Sequence, residues 1–126
     1  MNALLDTSIV IGLEQGRLRP ETLAEEALIS VITLEELYLG VLSVSPAAGV
    51  ERRGTFERTV AAFEVLAVDE AVARASAQIR AEGRHRGVRY APFDSLIGAT
   101  ARVHGLPLLT EDTGMVGMLG VDVRVV

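Results

Sequence analysis

Four acidic residues occupy positions at which their carboxylates could act together. Asp6, Glu36 and Asp112 each come shortly after an apolar run that is typical of a buried strand. Asp94 begins a predicted helix just before the last of these runs. Because ligands of open parallel α/β sheets bind at the carboxyl ends of the strands, we expect all four carboxylates to meet at one edge of a sheet.

Carboxylates gathered at one place repel each other, which raises some of their pKa values and destabilises the fold unless a cation compensates the charge. Mg²⁺ suits this role because it prefers oxygen ligands and is usually held by one or two carboxylates, water and phosphate oxygens. Such an ion activates water and neutralises charge on a phosphodiester. The acid pattern therefore predicts metal-dependent hydrolysis of a phosphodiester.

Each of these acids also has a purely structural interpretation. Asp6 and Asp112 could be turn residues. Glu36 could complete a capping box with Thr33, and Asp94 could be a helix N-cap. The four separate signals coincide at one end of one predicted sheet, and this coincidence favours the chemical interpretation.

The composition indicates one domain that spans residues 1–126. Hydrophobic residues make up 49% of the chain, which is enough for a core, and cysteine is absent. The net charge of −5 argues against a protein that coats nucleic acid by charge alone, but not against a nuclease. We expect no signal peptide, no membrane span and a cytoplasmic location, since the longest uncharged run covers only residues 37–50.

Short apolar runs alternate with amphipathic stretches, which predicts an α/β domain with a mostly parallel sheet. The loop that contains Pro46 and Gly49 separates two predicted helices, and Asp69 is a predicted N-cap. The predicted strands cover residues 3–5, 28–32, 65–68, 108–109 and 121–126, the last at a sheet edge. The predicted helices cover residues 8–14, 21–27, 33–43, 51–64, 70–86, 94–104 and 115–119.

Four short motifs, in the right order, resemble those of PIN domains, and in particular those of the VapC toxins of bacterial toxin–antitoxin pairs. In the second motif, the functional glutamate of the family stands before a leucine, which selects Glu36 rather than Glu35. The motifs are Leu-Leu-Asp-Thr-Ser at 4–8, Thr-Leu-Glu-Glu-Leu at 33–37 with Gly40, Asp-Ser-Leu-Ile-Gly-Ala-Thr-Ala at 94–101, and Thr-Glu-Asp at 110–112 after a similar stretch at 104–110.

The resemblance implies a three-layer α/β sandwich and a Mg²⁺- or Mn²⁺-dependent endoribonuclease. It also implies a homodimer, a VapB-type antitoxin as inhibitor, and structured RNA such as tRNA or rRNA as substrate. The acids that match the family's site bind metal and position the attacking water, and three hydroxyls support them. These residues are Asp6, Glu36, Asp94 and Asp112, with Asp6, Asp94 and Asp112 as metal ligands, and the hydroxyls of Thr7, Ser8 and Thr110.

The sequence departs from the family pattern at one place. Many members carry an Asp-Phe pair a few residues after the fourth motif, where this chain has Met115 and Val116. The fourth acidic position therefore depends on Asp112 alone.

A basic segment at residues 80–89 could contact RNA. It carries four arginines and Glu82, so its net charge is four minus one, or +3, and we expect the guanidinium groups of Arg80, Arg84, Arg86 and Arg89 to bind phosphate oxygens. The alternative is a solvated helix C-terminus, where the helix dipole favours cations. We expect His104 to end a helix, and Tyr38 and Leu42 to support dimer or antitoxin contacts.

Two other classes of function deserve comparison with the nuclease. A phosphoacceptor signalling domain shares the length and the acidic strand ends, but it needs a lysine, and all 12 basic residues of this chain are arginine. The same absence argues against a dehalogenase-type phosphatase. A PIN-fold binding module without catalytic activity is the second alternative, although all four acids are present.

Overall fold

A parallel β-sheet forms the centre of the computed structural model, which describes residues 2–20 and 25–126. In the order β3-β2-β1-β4-β5, the first strand is the middle one, and β5 lies at an edge as predicted. All four pairings are parallel. The strands are β1 (Asn2–Leu5), β2 (Glu26–Ser30), β3 (Glu64–Leu66), β4 (Leu108–Thr110) and β5 (Val123–Val125).

Helices cover both faces of this sheet and make the molecule a three-layer sandwich. Leu4 of the central strand packs with the core on one face, whereas its neighbours Ala3 and Leu5 pack with the core on the other. The first core includes residues of α4 and α5, and the second includes residues of α1. The helices are α1 (Thr7–Glu14), α2 (Val31–Leu42), α3 (Pro46–Ala62), α4 (Glu70–His85) and α5 (Pro92–Val103), and Thr113–Met115 form a 3₁₀ turn.

The predicted fold class is confirmed, and the architecture explains why its strands are apolar. A parallel sheet that is covered on both faces needs apolar side chains on both sides of each central strand. Ala3, Leu4 and Leu5 are all fully buried. No helix of the described ranges is long and apolar enough to cross a membrane.

The start of α2 differs from the prediction. Strand β2 begins at Glu26 and ends at Ser30, whose hydroxyl caps the helix by accepting a hydrogen bond from the backbone N–H of Ile32 at 3.0 Å. The predicted capping box of Thr33 and Glu36 is therefore wrong, because both residues lie inside the helix. Of the helix predicted at 21–27, residues 21–24 lie outside the described residues, and the last two belong to β2.

Proline explains two further corrections. Pro46 and Pro92 each start a helix, where a missing N–H costs nothing and the fixed φ fits. Helix α3 therefore begins five residues before the predicted start, and the predicted loop with Gly49 belongs to it. Asp94 is the third residue of α5 rather than its N-cap, which is Ala91.

The remaining elements agree with the predictions except in length. Helix α4, strand β4 and the end of α5 at His104 and Gly105 lie as expected, and Gly105 takes the left-handed conformation with φ +64°. Strand β5 has three residues instead of six, and a single 3₁₀ turn replaces the helix predicted at 115–119.

The predicted cap of α4 is present and offers a stability test. The Asp69 carboxylate accepts a hydrogen bond from the backbone N–H of Val72 at 2.9 Å. We expect Asp69→Ala to lower the free energy of unfolding by about 1 kcal/mol, because the end of the helix then loses a hydrogen-bond acceptor. Urea unfolding measures this, with Asp69→Asn as a control that keeps the cap. Equal losses in both variants would show that the cap is not the cause.

Candidate active site

Asp6 is the buried centre of a polar cluster at the carboxyl end of β1. Its side chain is 6% exposed, and its Oδ2 accepts hydrogen bonds from Ser8 Oγ at 2.9 Å and Thr110 Oγ1 at 2.8 Å. Asp6 stands at the N-terminus of α1, yet its side chain does not cap that helix. Within the described ranges no donor reaches Oδ1, which leaves that oxygen available to a ligand.

Both hydroxyls that bind Asp6 are oriented by backbone N–H groups of the segment that follows β4. Thr110 Oγ1 accepts from the N–H of Asp112 at 2.9 Å, and Ser8 Oγ accepts from the N–H of Glu111 at 3.1 Å. A hydroxyl whose lone pair is engaged in this way directs its single proton elsewhere. Both protons are therefore directed at Asp6 Oδ2.

Glu36 joins this edge from the second turn of α2. Its Oε1 lies 2.7 Å from Thr7 Oγ1, which also lies 2.9 Å from Thr33 Oγ1. A hydroxyl carries one proton and a carboxylate only accepts, so Thr7 donates to Glu36 and its oxygen is left to accept from Thr33. Thr33, which the sequence analysis interpreted as a cap, is thus part of the cluster. Glu35 is exposed.

Asp94 lies within electrostatic range of the three other acids. Its pKa is raised by burial and, in decreasing order, by the negative charges of Asp6, Asp112 and Glu36. Asp94 is half-buried in the first turn of α5. The three other acids predicted from the sequence therefore lie close enough to Asp94 for their charges to act on it.

Asp112 is the most exposed of the four acids, and it also acts as a turn residue, as one interpretation of the sequence predicted. Its Oδ1 accepts a hydrogen bond from the backbone N–H of Gly114 at 2.8 Å, which starts the 3₁₀ turn. Met115 is 1% exposed and packs in the core, while Val116 is exposed. The place where PIN domains often carry a second acid is therefore part of the hydrophobic core in this chain.

The donor set suits a hard divalent cation that keeps several water ligands. Within residues 2–20 and 25–126, no arginine pairs with any of the four carboxylates, so their charge is uncompensated. In the same part of the chain no three acidic or histidine side chains are arranged to enclose a metal by themselves. Mg²⁺ typically binds through only one or two carboxylates plus water, so the residues fit this ion.

A cleft of about 490 Å³ opens beside Glu36, between α1, α2 and α3. Three glutamates and one arginine line it together with apolar side chains, among them Glu14, Glu36, Glu51, Arg52, Leu37 and Phe56. Tyr38 stacks on Phe56 with ring centroids 5.0 Å apart, and Leu42 is 61% exposed on the same helix. These positions leave the prediction of a partner contact open.

The four arginines of the basic segment do not act as one group. Arg80, Arg84 and Arg89 line a small cavity together with Tyr90. Arg86 instead pairs with Glu82, one turn before it, and donates to the Tyr90 hydroxyl at 3.1 Å and to the Gly117 carbonyl at 3.3 Å. Tyr90 was not predicted, because a single aromatic residue in a loop two residues before Pro92 carries no signal of its own.

Comparison with known proteins defines the class. The family model of the PIN domain matches residues 3–118, so this chain belongs to the PIN-domain family. The resemblance stated from the sequence motifs is thereby confirmed.

The relatives within that family are ribonucleases and toxins of toxin–antitoxin systems. The chain is 42% identical over 123 residues to ribonuclease VapC4 of Mycobacterium tuberculosis, which covers 96% of this chain and 94% of that protein. Its fold matches VapBC-5 of the same organism with a TM-score of 0.79 at 30% identity, covering 99% and 97% of the two chains. It also matches FitAcB of Neisseria gonorrhoeae with a TM-score of 0.81 at 33% identity, covering 98% and 96%.

Proposed function

We propose that this chain is a divalent-cation-dependent endoribonuclease, the toxin of a VapBC-type pair, and that it acts in the cytoplasm. The observation that carries the proposal is that Asp6, Glu36 and Asp112 lie within electrostatic range of Asp94, with no arginine of residues 2–20 and 25–126 paired to any of the four. The relatives that are named ribonucleases support the reaction class. Structured RNA such as tRNA or rRNA is the substrate class that fits the family resemblance.

In this proposal Asp6, Asp94 and Asp112 would hold a Mg²⁺ or Mn²⁺ ion, one or two of them directly and the rest through bound water. When bound, the ion lowers the pKa of a water molecule and neutralises charge on the scissile phosphate. Asp6 would offer Oδ1 to such an ion, because its Oδ2 is engaged by two hydroxyls. Asp112 accepts the Gly114 N–H with Oδ1, and within the described residues no donor reaches its Oδ2.

Glu36 orients the attacking water. Its Oε1 is engaged by the Thr7 hydroxyl, so its Oε2 is available to accept a hydrogen bond from water. A carboxylate in this place also accepts the proton that the water gives up, as general bases do. Thr7 and Thr33 act as positioning residues, because they reach the reaction only through Glu36.

A VapB-type antitoxin is the partner that we propose. The solved neighbour VapBC-5 is a member of the VapBC family of toxin–antitoxin systems, and a relative from Neisseria gonorrhoeae is named toxin FitB. The cleft beside Glu36 has more acidic than basic side chains, so it fits a partner segment with a basic side chain that pairs with Glu36. We also propose a homodimer, and the exposed apolar side chains of Leu39 and Leu42, each 61% exposed, support a contact on α2.

A matched pair of glutamates on α2 tests the nuclease assignment. We expect Glu36→Gln to slow RNA cleavage in Mg²⁺ or Mn²⁺ by at least about tenfold, because the amide cannot take a proton from water. Glu35→Gln removes the same charge one residue away at an exposed position and should leave the rate within about twofold. Cleavage of tRNA or rRNA, followed on gels, measures both.

Two results would contradict the proposal. Equal rates for Glu36→Gln and wild type would remove Glu36 from the reaction. A wild-type chain, free of antitoxin, that cleaves no RNA with either cation would favour the inactive binding module.

A further inference from the structure

A cavity of about 130 Å³ lies where the end of α4 meets the loop that leads to α5. Its lining consists of Arg80, Arg84, Arg89 and Tyr90. Arg80 and Arg84 are four residues apart on one helix face, and Arg89 approaches from the loop. The volume is room for about four water molecules, which is enough for one phosphate group.

These three guanidinium groups are uncompensated. In the part of the chain that the structure describes, no carboxylate pairs with any of them, and Glu82, the acid of this segment, is engaged by Arg86. Like charges four residues apart on a helix destabilise it slightly. An anion in the cavity would turn this repulsion into attraction.

The helix dipole does not account for the arrangement. The carboxyl end of a helix favours cations with roughly half an elementary charge, and any exposed orientation of Arg80 and Arg84 would satisfy it. It gives no reason for Arg89, which lies outside the helix, to approach the same cavity. The same partial charge disfavours an anion, but three full positive charges outweigh it.

Two segments that border the cavity also lead along the chain to residues of the acidic edge. Arg89 precedes Asp94 by five residues, and Arg86 links Tyr90 to the Gly117 carbonyl just after the turn that Asp112 starts. Gly83 of α4 packs closely against Tyr90 and Val88, since a Cβ at this position would lie 2.9 Å from the Tyr90 ring and from the Val88 carbonyl oxygen. The wall of the cavity is therefore held in place.

We propose that Arg80, Arg84 and Arg89 bind one phosphate of an RNA backbone. The inference rests on the proposed nuclease function for the identity of the ligand. A guanidinium group gives the paired N–H donors that phosphate oxygens accept, and an acidic protein needs such a local positive site to hold RNA. Arg86 belongs to the wall and binds no phosphate.

The test compares two arginines of the same helix. Arg84 lines the cavity, whereas Arg74 lies at the other end of α4, 75% exposed beside Glu70. The affinity for a short fluorescent oligouridylate is measured by anisotropy between about 50 and 200 mM KCl, with Ca²⁺ in place of Mg²⁺. We expect Arg84→Ala to weaken binding about tenfold and to make the log–log salt slope shallower by about 0.7, the value for one phosphate contact on a single strand. Arg74→Ala should change neither.

A second variant and a kinetic measurement distinguish loss of phosphate binding from misfolding of Arg84→Ala. Arg89→Ala alters only the loop and should reproduce the Arg84→Ala result. Both variants should raise KM in RNA cleavage and leave kcat within about twofold, because uniform binding is lost while the reacting groups are untouched. Arg84→Lys keeps the positive charge but loses the paired N–H donors of the guanidinium group. Its affinity for the oligonucleotide should lie between those of Arg84→Ala and wild type.

Three results would overturn the inference. The first is an unchanged salt slope in Arg84→Ala, and the second is an equal loss in Arg74→Ala. The third is that inorganic phosphate raises the melting temperature only when Arg84 is present, although RNA affinity is the same with and without Arg84. That result would make the cavity a site for free phosphate. A slope change in a protein that cleaves no RNA would support the phosphate site and refute the nuclease assignment.

Discussion

Asp6→Asn should slow cation-dependent RNA cleavage by at least about a hundredfold, with no loss of fold. Both hydroxyls at this site donate to the residue, since Ser8 and Thr110 have their oxygens engaged by backbone N–H groups. The Asn oxygen must therefore occupy the Oδ2 position, which places the NH₂ group at Oδ1. A donor then faces the cation, and both the charge and the ligand oxygen are lost.

The measurement is the initial rate of cleavage of tRNA or rRNA in Mg²⁺ and in Mn²⁺, for wild type and Asp6→Asn. The melting temperature of each protein without metal is the control for folding. We expect it to be equal or higher in the variant, because one of four mutually repelling charges is gone. A variant that cleaves within about threefold of wild type would exclude Asp6 as a ligand.

Mg²⁺ should raise the melting temperature of the wild-type chain substantially. A ligand that binds only the folded state at about 100 times its Kd stabilises it by about 2.7 kcal/mol. For a domain of 126 residues this corresponds to a rise of about 10 °C. The stabilisation follows from the four carboxylates, which the folded state concentrates and the unfolded state disperses.

Asp94→Asn should raise the melting temperature without metal and reduce the Mg²⁺ effect. The pKa of Asp94 is raised by burial and by the charges of Asp6, Asp112 and Glu36, so the folded state binds its proton more tightly than the unfolded state does. Stability without metal therefore falls as the pH rises from the ordinary aspartate pKa through this raised value, and stays reduced at neutral pH. Asp94→Asn removes the negative charge of this residue, so the variant does not lose stability in this way at neutral pH.

The control for this experiment is Asp122→Asn, which removes a charge from an exposed ion pair with Arg124 at the edge strand. It should leave both the metal-free melting temperature and the Mg²⁺ effect within about 2 °C, since exposed pairs contribute little. Differential scanning fluorimetry at neutral pH, with and without Mg²⁺, measures all three proteins. A melting temperature that is indifferent to Mg²⁺ would contradict a preformed site, and an unchanged Mg²⁺ effect in Asp94→Asn would remove Asp94 from it.

The positions of the site residues could be predicted because the relevant signals are local. An apolar run that ends at Asp6 or Thr110 predicts both a strand and the edge at which it ends, and the parallel topology brings such ends together. The cap at Asp69 is likewise a matter of neighbouring residues. The motif order then added the family and the preference for Glu36 over Glu35.

Predictions failed where a local signal competed with packing. Thr33 and Glu36 match a capping box, but Ser30 lies at the end of β2 and caps α2 first. Thr33 is fully buried against Thr7, a residue 26 positions earlier, and no local pattern shows this contact. Pro46 likewise favours a helix that starts at residue 46, whereas the sequence analysis interpreted residues 46–49 as a loop.

The amino-acid sequence by itself determined the parallel sheet, the buried strands and the four acids at their ends, because strand ends and apolar periodicity are properties of adjacent residues. Only the tertiary structure decided which oxygen of Asp6 is free, that Thr33 supports Glu36 through Thr7, and that Arg86 separates from the three other arginines. Those outcomes depend on contacts between distant segments, and the proton directions and charge pairs that result exist only once the segments have packed together.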